Sequence, residues 1–151
     1  MKVRLARPED LSALAAIAVR SYAHAFGAIL GAAALRSRDG TYFAALFAEK
    51  RSWVRVAESD GVAIGFSLVT DGQLDMLFVD PAETGRGAGT VLLRAAEAAG
   101  ACSLECFRDN GSARAFYESR GWVAVEAYER DFAGARHAFV LYRPARREAF
   151  G

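Results

Sequence analysis

The stretch from Leu74 to Leu93, Leu-Asp-Met-Leu-Phe-Val-Asp-Pro-Ala-Glu-Thr-Gly-Arg-Gly-Ala-Gly-Thr-Val-Leu-Leu, permits few local structures. The β-prone run Leu74 to Val79 predicts a strand, and Asp80-Pro81 must end it, because proline has no ladder donor and restricts the residue before it. Gly85, Gly87 and Gly89 alternate with Arg86 and Ala88, so the backbone there can take positive φ and approach a ligand with no Cβ in the way. From Gly87 onward Ala88, Val91, Leu92, Ala95 and Ala99 recur at helical spacing, with Arg94 and Glu97 off that face. A strand, a glycine loop and a helix in this order aim backbone N–H groups and the positive end of a helix dipole at one point. That point suits an anion, phosphate above all; the plainer alternative is a tight turn that satisfies its own backbone.

At 151 residues the chain has the length of one ordinary domain, and residues 1–143 are expected to form it, with 144–151 as a basic, frayed tail. A net charge of +1 creates no broad field for nucleic acid or for an anionic membrane. The apolar runs Leu11 to Val19 and Ala23 to Leu35 are too short or too interrupted to span a bilayer, and Met1-Lys2-Val3-Arg4-Leu5 lacks the apolar region of a secretory leader. A cytoplasmic protein is expected. Cys102 and Cys106, four apart in a predicted strand, lie roughly 13 Å from each other and cannot pair. His24 and His137 are not at ligand spacing from either cysteine, so no metal is expected.

In chain order, Val3 to Ala6 predicts a short strand, and Arg7-Pro8-Glu9-Asp10 a helix entry with proline early and acids in the first turn. Leu11, Leu14, Ala15, Ala18 and Tyr22 then share one face of a helix that ends near Gly27. Ala28 to Arg51 fits either two helices or a helix and a loop, divided by Arg36-Ser-Arg-Asp-Gly40. Trp53 to Glu58, Val62 to Val69 and the Leu74 strand form consecutive hairpins through Asp60-Gly61 and Asp71-Gly72. After the helix, Gly100 is a stop, and Ala101 to Phe107 predicts a strand joined to the Leu74 strand by a parallel crossover. A short helix follows, capped by Asn110 or Ser112 and closed by Gly121. Val123 to Tyr128 and His137 to Tyr142 make two last strands around a loop with Gly134. The expected fold is α+β, a mixed, mostly antiparallel sheet of about seven strands with about four helices.

A dinucleotide site is a poor match, although Glu105 lies about 20 residues beyond the loop, near the place for a ribose-binding acid. The third glycine comes one residue early and the preceding strands are antiparallel hairpins; no Gly-Lys-Ser/Thr follows, which excludes a nucleoside triphosphate loop. The pair Leu-Phe-Val-Asp-Pro-x3-Gly-Arg-Gly-Ala-Gly-Thr-x-Leu-Leu and Asn110-x2-Ala113-x2-Phe116-Tyr117-Glu118-x2-Gly121-Trp122 instead resembles the GCN5-related N-acetyltransferase (GNAT) superfamily. The two motifs cover about a third of the chain, and the order of strands and helices around them fits the family over nearly all of it.

The resemblance implies a splayed central strand pair that admits acetyl-coenzyme A, and acetyl transfer to an amine. Backbone donors across Gly85, Arg86, Gly87, Ala88, Gly89 and Thr90 would hold the pyrophosphate, and Phe78 and Val79 would pair with the pantetheine arm as with an added strand. Thr84 stands where the family usually has Gln or Arg, which removes a side chain but no backbone donor; Arg86 is a candidate for the missing charge. An N–H at the strand break would meet the charge that develops on the thioester oxygen. Asn110, with Ala113 and Phe116, would meet the far side of the cofactor.

Tyr117, one helical turn beyond Ala113, would act as the acid towards the departing thiolate, since a phenol pKa of about 10 lies near a thiol's of about 8.5. Asp75 is the candidate base, with Glu58 second. Tyr22, His24 and Phe26 at the end of the first helix, and Tyr128 by the last hairpin with Arg130 and His137, would wall the acceptor site. The expected acceptor is a small-molecule or peptide amine, whether a small amine, an amino acid, an antibiotic or a protein terminus; the expected donor is acetyl or a longer acyl group, and a homodimer is compatible. A non-catalytic acyl-coenzyme A sensor or interaction module is the alternative, against which the presence of Tyr117 argues.

Overall fold

The computed structural model describes residues 1–145. The expected tail lies, from residue 146 onward, outside the described residues. Among the described residues the fold is α+β, with seven strands in a mostly antiparallel sheet and five α-helices, and they divide into two compact units, 1–101 and 102–145.

In the first unit, β1 (Lys2–Leu5) leads through a 3-10 turn (Pro8–Asp10) into α1 (Leu11–Phe26), which Gly27 ends. The 28–51 segment makes two helices, α2 (Ala32–Ser37) and α3 (Gly40–Lys50). They are separate because the Asp39 side chain accepts from the Tyr42 N–H at 2.9 Å, which starts a new helix where the polar run breaks the old one. Strands β2 (Val54–Ser59), β3 (Val62–Thr70) and β4 (Gln73–Val79) follow as hairpins, and the order β1-β2-β3-β4 is antiparallel throughout. Asp60 and Asp71 have positive φ (52° and 50°), as the expected two-residue turns require. After a 3-10 turn (Pro81–Glu83), α4 (Ala88–Ala98) closes the unit.

Period-two alternation divides this sheet into two apolar faces. Val54, Val56, Phe66, Leu68 and Met76 pack against Leu14, Ile17 and Ala18 of α1 and Phe43 and Phe47 of α3. Ala57 and Ile64 pack with Ala88 and Leu92 of α4, joined by Val3, Leu77 and Val79. The helix that carries the glycine loop is thus anchored by its own first residue and by the strands before it.

In the second unit, β5 (Ser103–Phe107), α5 (Gly111–Glu118), β6 (Trp122–Phe132) and β7 (Ala135–Pro144) give the antiparallel order β5-β7-β6. The last hairpin is longer than expected because Ala133 and Gly134 both take positive φ (50° and 86°), making a two-residue turn where an open loop was predicted. Cys102 is exposed and Cys106 buried, and both are free thiols.

Candidate functional site

The end of β4 is fixed from two directions before the loop begins. The Asp80 N–H donates to the Ile64 carbonyl at 2.8 Å, while Asp80 Oδ1 accepts from the Ala82 N–H at 3.1 Å and starts the 3-10 turn. From α1, Arg20 Nη2 donates to Asp80 Oδ2 at 2.7 Å, and the Ser21 hydroxyl reaches the Val79 carbonyl at 3.5 Å. The Arg20 guanidinium holds the Asp80 carboxyl below its ordinary range. Arg20 and Asp80 lie sixty residues apart and no motif joins them; Asp before Pro81 signals only the local turn.

Gly85 and Gly87 each have φ 83°, a conformation that other residues rarely adopt. Gly89 departs from expectation: it is the second residue of α4 and its φ is not positive, so two of the three glycines shape the loop. Gly87 occupies the N-cap position of α4 and, having no side chain, gives that helix start no side-chain cap. By contrast, Asp39 caps α3 and Asn110 caps α5. A helix N-terminus offers N–H groups that need an acceptor, so the uncapped start of α4 leaves a place for an anion. Arg86 turns aside from this opening: Nη1 donates to Glu83 at 2.7 Å and Nη2 to Ser59 Oγ at 2.8 Å. Thr84 is extended, with its hydroxyl 3.4 Å from the Pro81 carbonyl.

Tyr22, Phe26 and Phe78 come together, with ring centroids 4.8 Å (Tyr22–Phe26), 5.5 Å (Tyr22–Phe78) and 5.9 Å (Phe26–Phe78) apart. Burial raises the Tyr22 phenol pKa. His24 is exposed, two residues and roughly 200° around α1 from these rings. Asp75 is exposed on β4, between the buried Leu74 and Met76. Glu58 accepts from Arg4 Nε at 2.9 Å, and Arg4 also grips Asp10 at 2.7 and 3.0 Å. The hydrogen bond from Arg4 lowers the Glu58 pKa, which makes Glu58 a weaker proton acceptor than an ordinary glutamate.

In the second unit, Asn110 Oδ1 accepts from the Ala113 N–H at 3.2 Å, which identifies Asn110 rather than Ser112 as the cap of α5. Phe116 packs edge-on to Tyr117 and lies under the Arg120 guanidinium, 3.9 Å from the ring centroid. Tyr117 is buried against Trp122 and Tyr142, at centroid distances of 6.3 and 6.5 Å. Burial, with a smaller contribution from Cys106, pushes its pKa above that of an ordinary phenol. Among the described residues its hydroxyl has no hydrogen-bond partner. Other tyrosines differ: Tyr142 is held by Arg114 at 3.0 Å and by Glu118 at 2.5 Å, and Tyr128 donates to Glu105. Arg130 also donates to Glu105, at 2.7 and 3.0 Å, a network the sequence does not announce because its members sit on strands 23 to 25 residues apart.

Among the described residues no group of three or more His, Cys, Asp or Glu could hold a metal ion, and no helix is long and apolar enough to cross a membrane. The first unit thus presents a helix start at a strand end whose N–H groups suit an anion, and the second a buried phenol whose hydroxyl has no partner among the described residues.

The family model of the acetyltransferase (GNAT) domain matches residues 48–124, just over half of the chain. Among solved structures, the GCN5-related N-acetyltransferase from Rhodopseudomonas palustris is 29% identical, with a TM-score of 0.75 over 95% of this chain and 94% of that one. Apo-form YjaB from Escherichia coli is 26% identical, with a TM-score of 0.71 over 95% and 96%. The putative acetyltransferase yncA from Salmonella typhimurium, solved with its cofactor acetyl-CoA, shares the fold at 19% identity, with a TM-score of 0.70 over 100% and 97%. No curated protein matches the chain.

Proposed function

The chain belongs to the GCN5-related N-acetyltransferase family, and from that premise we propose that it moves an acetyl group from acetyl-coenzyme A directly to a primary amine of a small molecule or peptide. The observation that carries this reading is the uncapped start of α4 behind two left-handed glycines. The residues present fit the cofactor: main-chain donors from Gly85 to Thr90 take the pyrophosphate, and Phe78 and Val79 offer backbone groups to the pantetheine arm. Thr84 and Arg86 frame the loop rather than supply its charge, since Arg86 is already bound to Glu83 and Ser59. Asn110, Ala113 and Phe116 are assigned to the far side of the cofactor.

Bound acetyl-coenzyme A supplies a thioester whose acyl group an amine can accept. Tyr117 holds its proton at neutral pH, because burial raises its pKa, and it donates a hydrogen bond from its hydroxyl to the sulfur as charge builds there. A phenol less acidic than a thiol of pKa about 8.5 stabilises the thiolate without surrendering its proton outright. Asp75 accepts the amine's proton, directly or through water, with Glu58 as the second candidate. Tyr22 and Phe26 of the first unit, with the exposed His24 two residues from each, and Tyr128 of the second unit are the residues assigned to the acceptor. Burial pushes the Cys106 thiol up to about 12, which makes that cysteine a poor nucleophile for an acyl-enzyme route.

The test is thiol release from acetyl-coenzyme A across a panel of polyamines, amino acids and short peptides. Turnover with at least one amine class supports the proposal; tight cofactor binding with no turnover on any would replace it with the sensor.

A further inference from the structure

A concavity of about 410 Å³ opens in the first unit at the far end of α4 from the glycine loop. Its walls are Val3 and Leu5 of β1 and the small residues Ala95 and Ala98 of α4 and Ala99 just after it. Two arginines line it. Arg4 is already held by Asp10 and Glu58, but Arg55 of β2 is different: among the described residues its guanidinium has no hydrogen-bond or ion-pair partner, although it is half-buried. Cross-strand register places Arg55 between Leu5 and Ser67. The Ser67 hydroxyl is fully buried and, among the described residues, also has no partner.

A half-buried cation against an apolar wall is costly to leave unpaired, and a guanidinium is shaped to take a carboxylate with two parallel hydrogen bonds. We propose that this concavity is a binding site for a small carboxylic acid with an apolar body, its carboxylate on Arg55 and its chain along Val3, Leu5 and these alanines. The volume falls within the usual range for small-molecule sites, about 300–1,000 Å³. The last turn of α4 carries the negative end of the helix dipole, yet a full guanidinium charge beside the ligand outweighs that partial charge. The three alanines leave room where longer side chains would close the gap. The site is independent of the acyl-transfer reading.

The experiment titrates the intact protein with hexanoate and, separately, with hexylamine, which has the same body and the opposite charge, while following backbone amide shifts. Hexanoate is expected to saturate in the millimolar range, with the shifts centred on Val3, Leu5, Ala95, Ala98 and Ala99, and hexylamine is expected not to bind there. Arg55→Gln should weaken hexanoate by about 10- to 100-fold, the range for loss of a charge-assisted hydrogen-bonded pair. Ala98→Phe, at an exposed position that keeps the fold, should abolish binding by filling the groove while leaving Arg55 in place. Hexylamine binding as well as hexanoate, unchanged hexanoate affinity in Arg55→Gln, or no localised shift with hexanoate would each overturn the proposal. If the guanidinium serves only to pack its stem on the alanines, one of those three results appears.

Discussion

Gly65 sits on β3 where no side chain fits. A Cβ built there would lie 2.7 Å from the Phe78 carbonyl oxygen, 3.2 Å from the Val79 Cα and 3.2 Å from a Leu92 methyl. Two of those three neighbours are backbone at the end of β4, the segment proposed to pair with the pantetheine arm, and the third belongs to α4. Gly65→Ala must therefore move the β4 end by about 0.7 Å to restore an ordinary contact. Overpacking of this kind costs about 1–3 kcal/mol, and for a chain of this size that lowers Tm by about 2–12 °C. The functional effect should be larger than the stability effect, because a displacement near 1 Å at a positioning element costs on the order of 100-fold in rate. Thermal melts and calorimetric titration with coenzyme A give the two readouts, with Gly40→Ala as the control. Gly40 begins α3 with open space around it and an ordinary φ, so alanine there should raise stability by about 0.4–1 kcal/mol and leave cofactor binding untouched. A Gly65→Ala protein with unchanged Tm and unchanged coenzyme A affinity would refute the reasoning.

Other predictions bear on the site and its supports. Tyr117→Phe should cut turnover by about 100-fold or more, the usual worth of one donor placed at a developing charge, while KM for acetyl-coenzyme A and Tm hold steady; unaltered turnover would remove Tyr117 from the mechanism. Arg20→Ala should raise KM for acetyl-coenzyme A several-fold with kcat near its original value, and should change stability by less than about 1 kcal/mol because the arginine is half-exposed; a drop in kcat alone would contradict a role in holding the loop. Asp10 is lowered in pKa by its hydrogen bond from Arg4, so its contribution to stability is complete above the unfolded carboxylate value of about 3.9 and is lost as pH falls through the folded pKa. Asp10→Asn should consequently flatten the acid limb of the stability profile below pH about 4, and an unchanged slope there would count against it. Iodoacetamide at mild alkaline pH should modify the exposed Cys102 and spare the buried Cys106, whose thiol is raised to about 12; mass spectrometry of the native and denatured protein tells one adduct from two.

The parts of the fold that could be read from sequence are those specified over a few residues. Asp80-Pro81 ends β4, Asp60-Gly61 and Asp71-Gly72 make hairpins, and Asn110 opens α5, each through backbone chemistry local to the residues named. The 28–51 segment resists such reading because its outcome depends on one capping side chain, Asp39, and on Phe43 and Phe47 finding Phe66 and α1 across the unit. The length of the last hairpin is hidden for a related reason: Ala133 at positive φ has no sequence signature, and the extended β6–β7 pairing holds it there. In the candidate site, the glycine loop was legible and its supports were not. Arg20 with Asp80, and Glu105 with Tyr128 and Arg130, are long-range pairs between residues that are ordinary in their local contexts. Gly89 shows the opposite error, a residue that looks like its neighbours at 85 and 87 and is instead ordinary helix.

The tethering of Arg86 to Glu83 and Ser59 changes how this protein would look to a mutational survey. If the cofactor's phosphates are recognised by amide groups, trimming side chains along residues 84 to 90 erases little of the recognition, because every amino acid except proline carries the same N–H. An alanine scan of the loop would return a run of quiet positions at the place that matters most. The signal would emerge only at Gly85 and Gly87, where adding a methyl group, rather than deleting one, opposes a backbone shape that alanine tolerates poorly. Drift in the side chains around the loop would then carry little information about whether the cofactor is still bound.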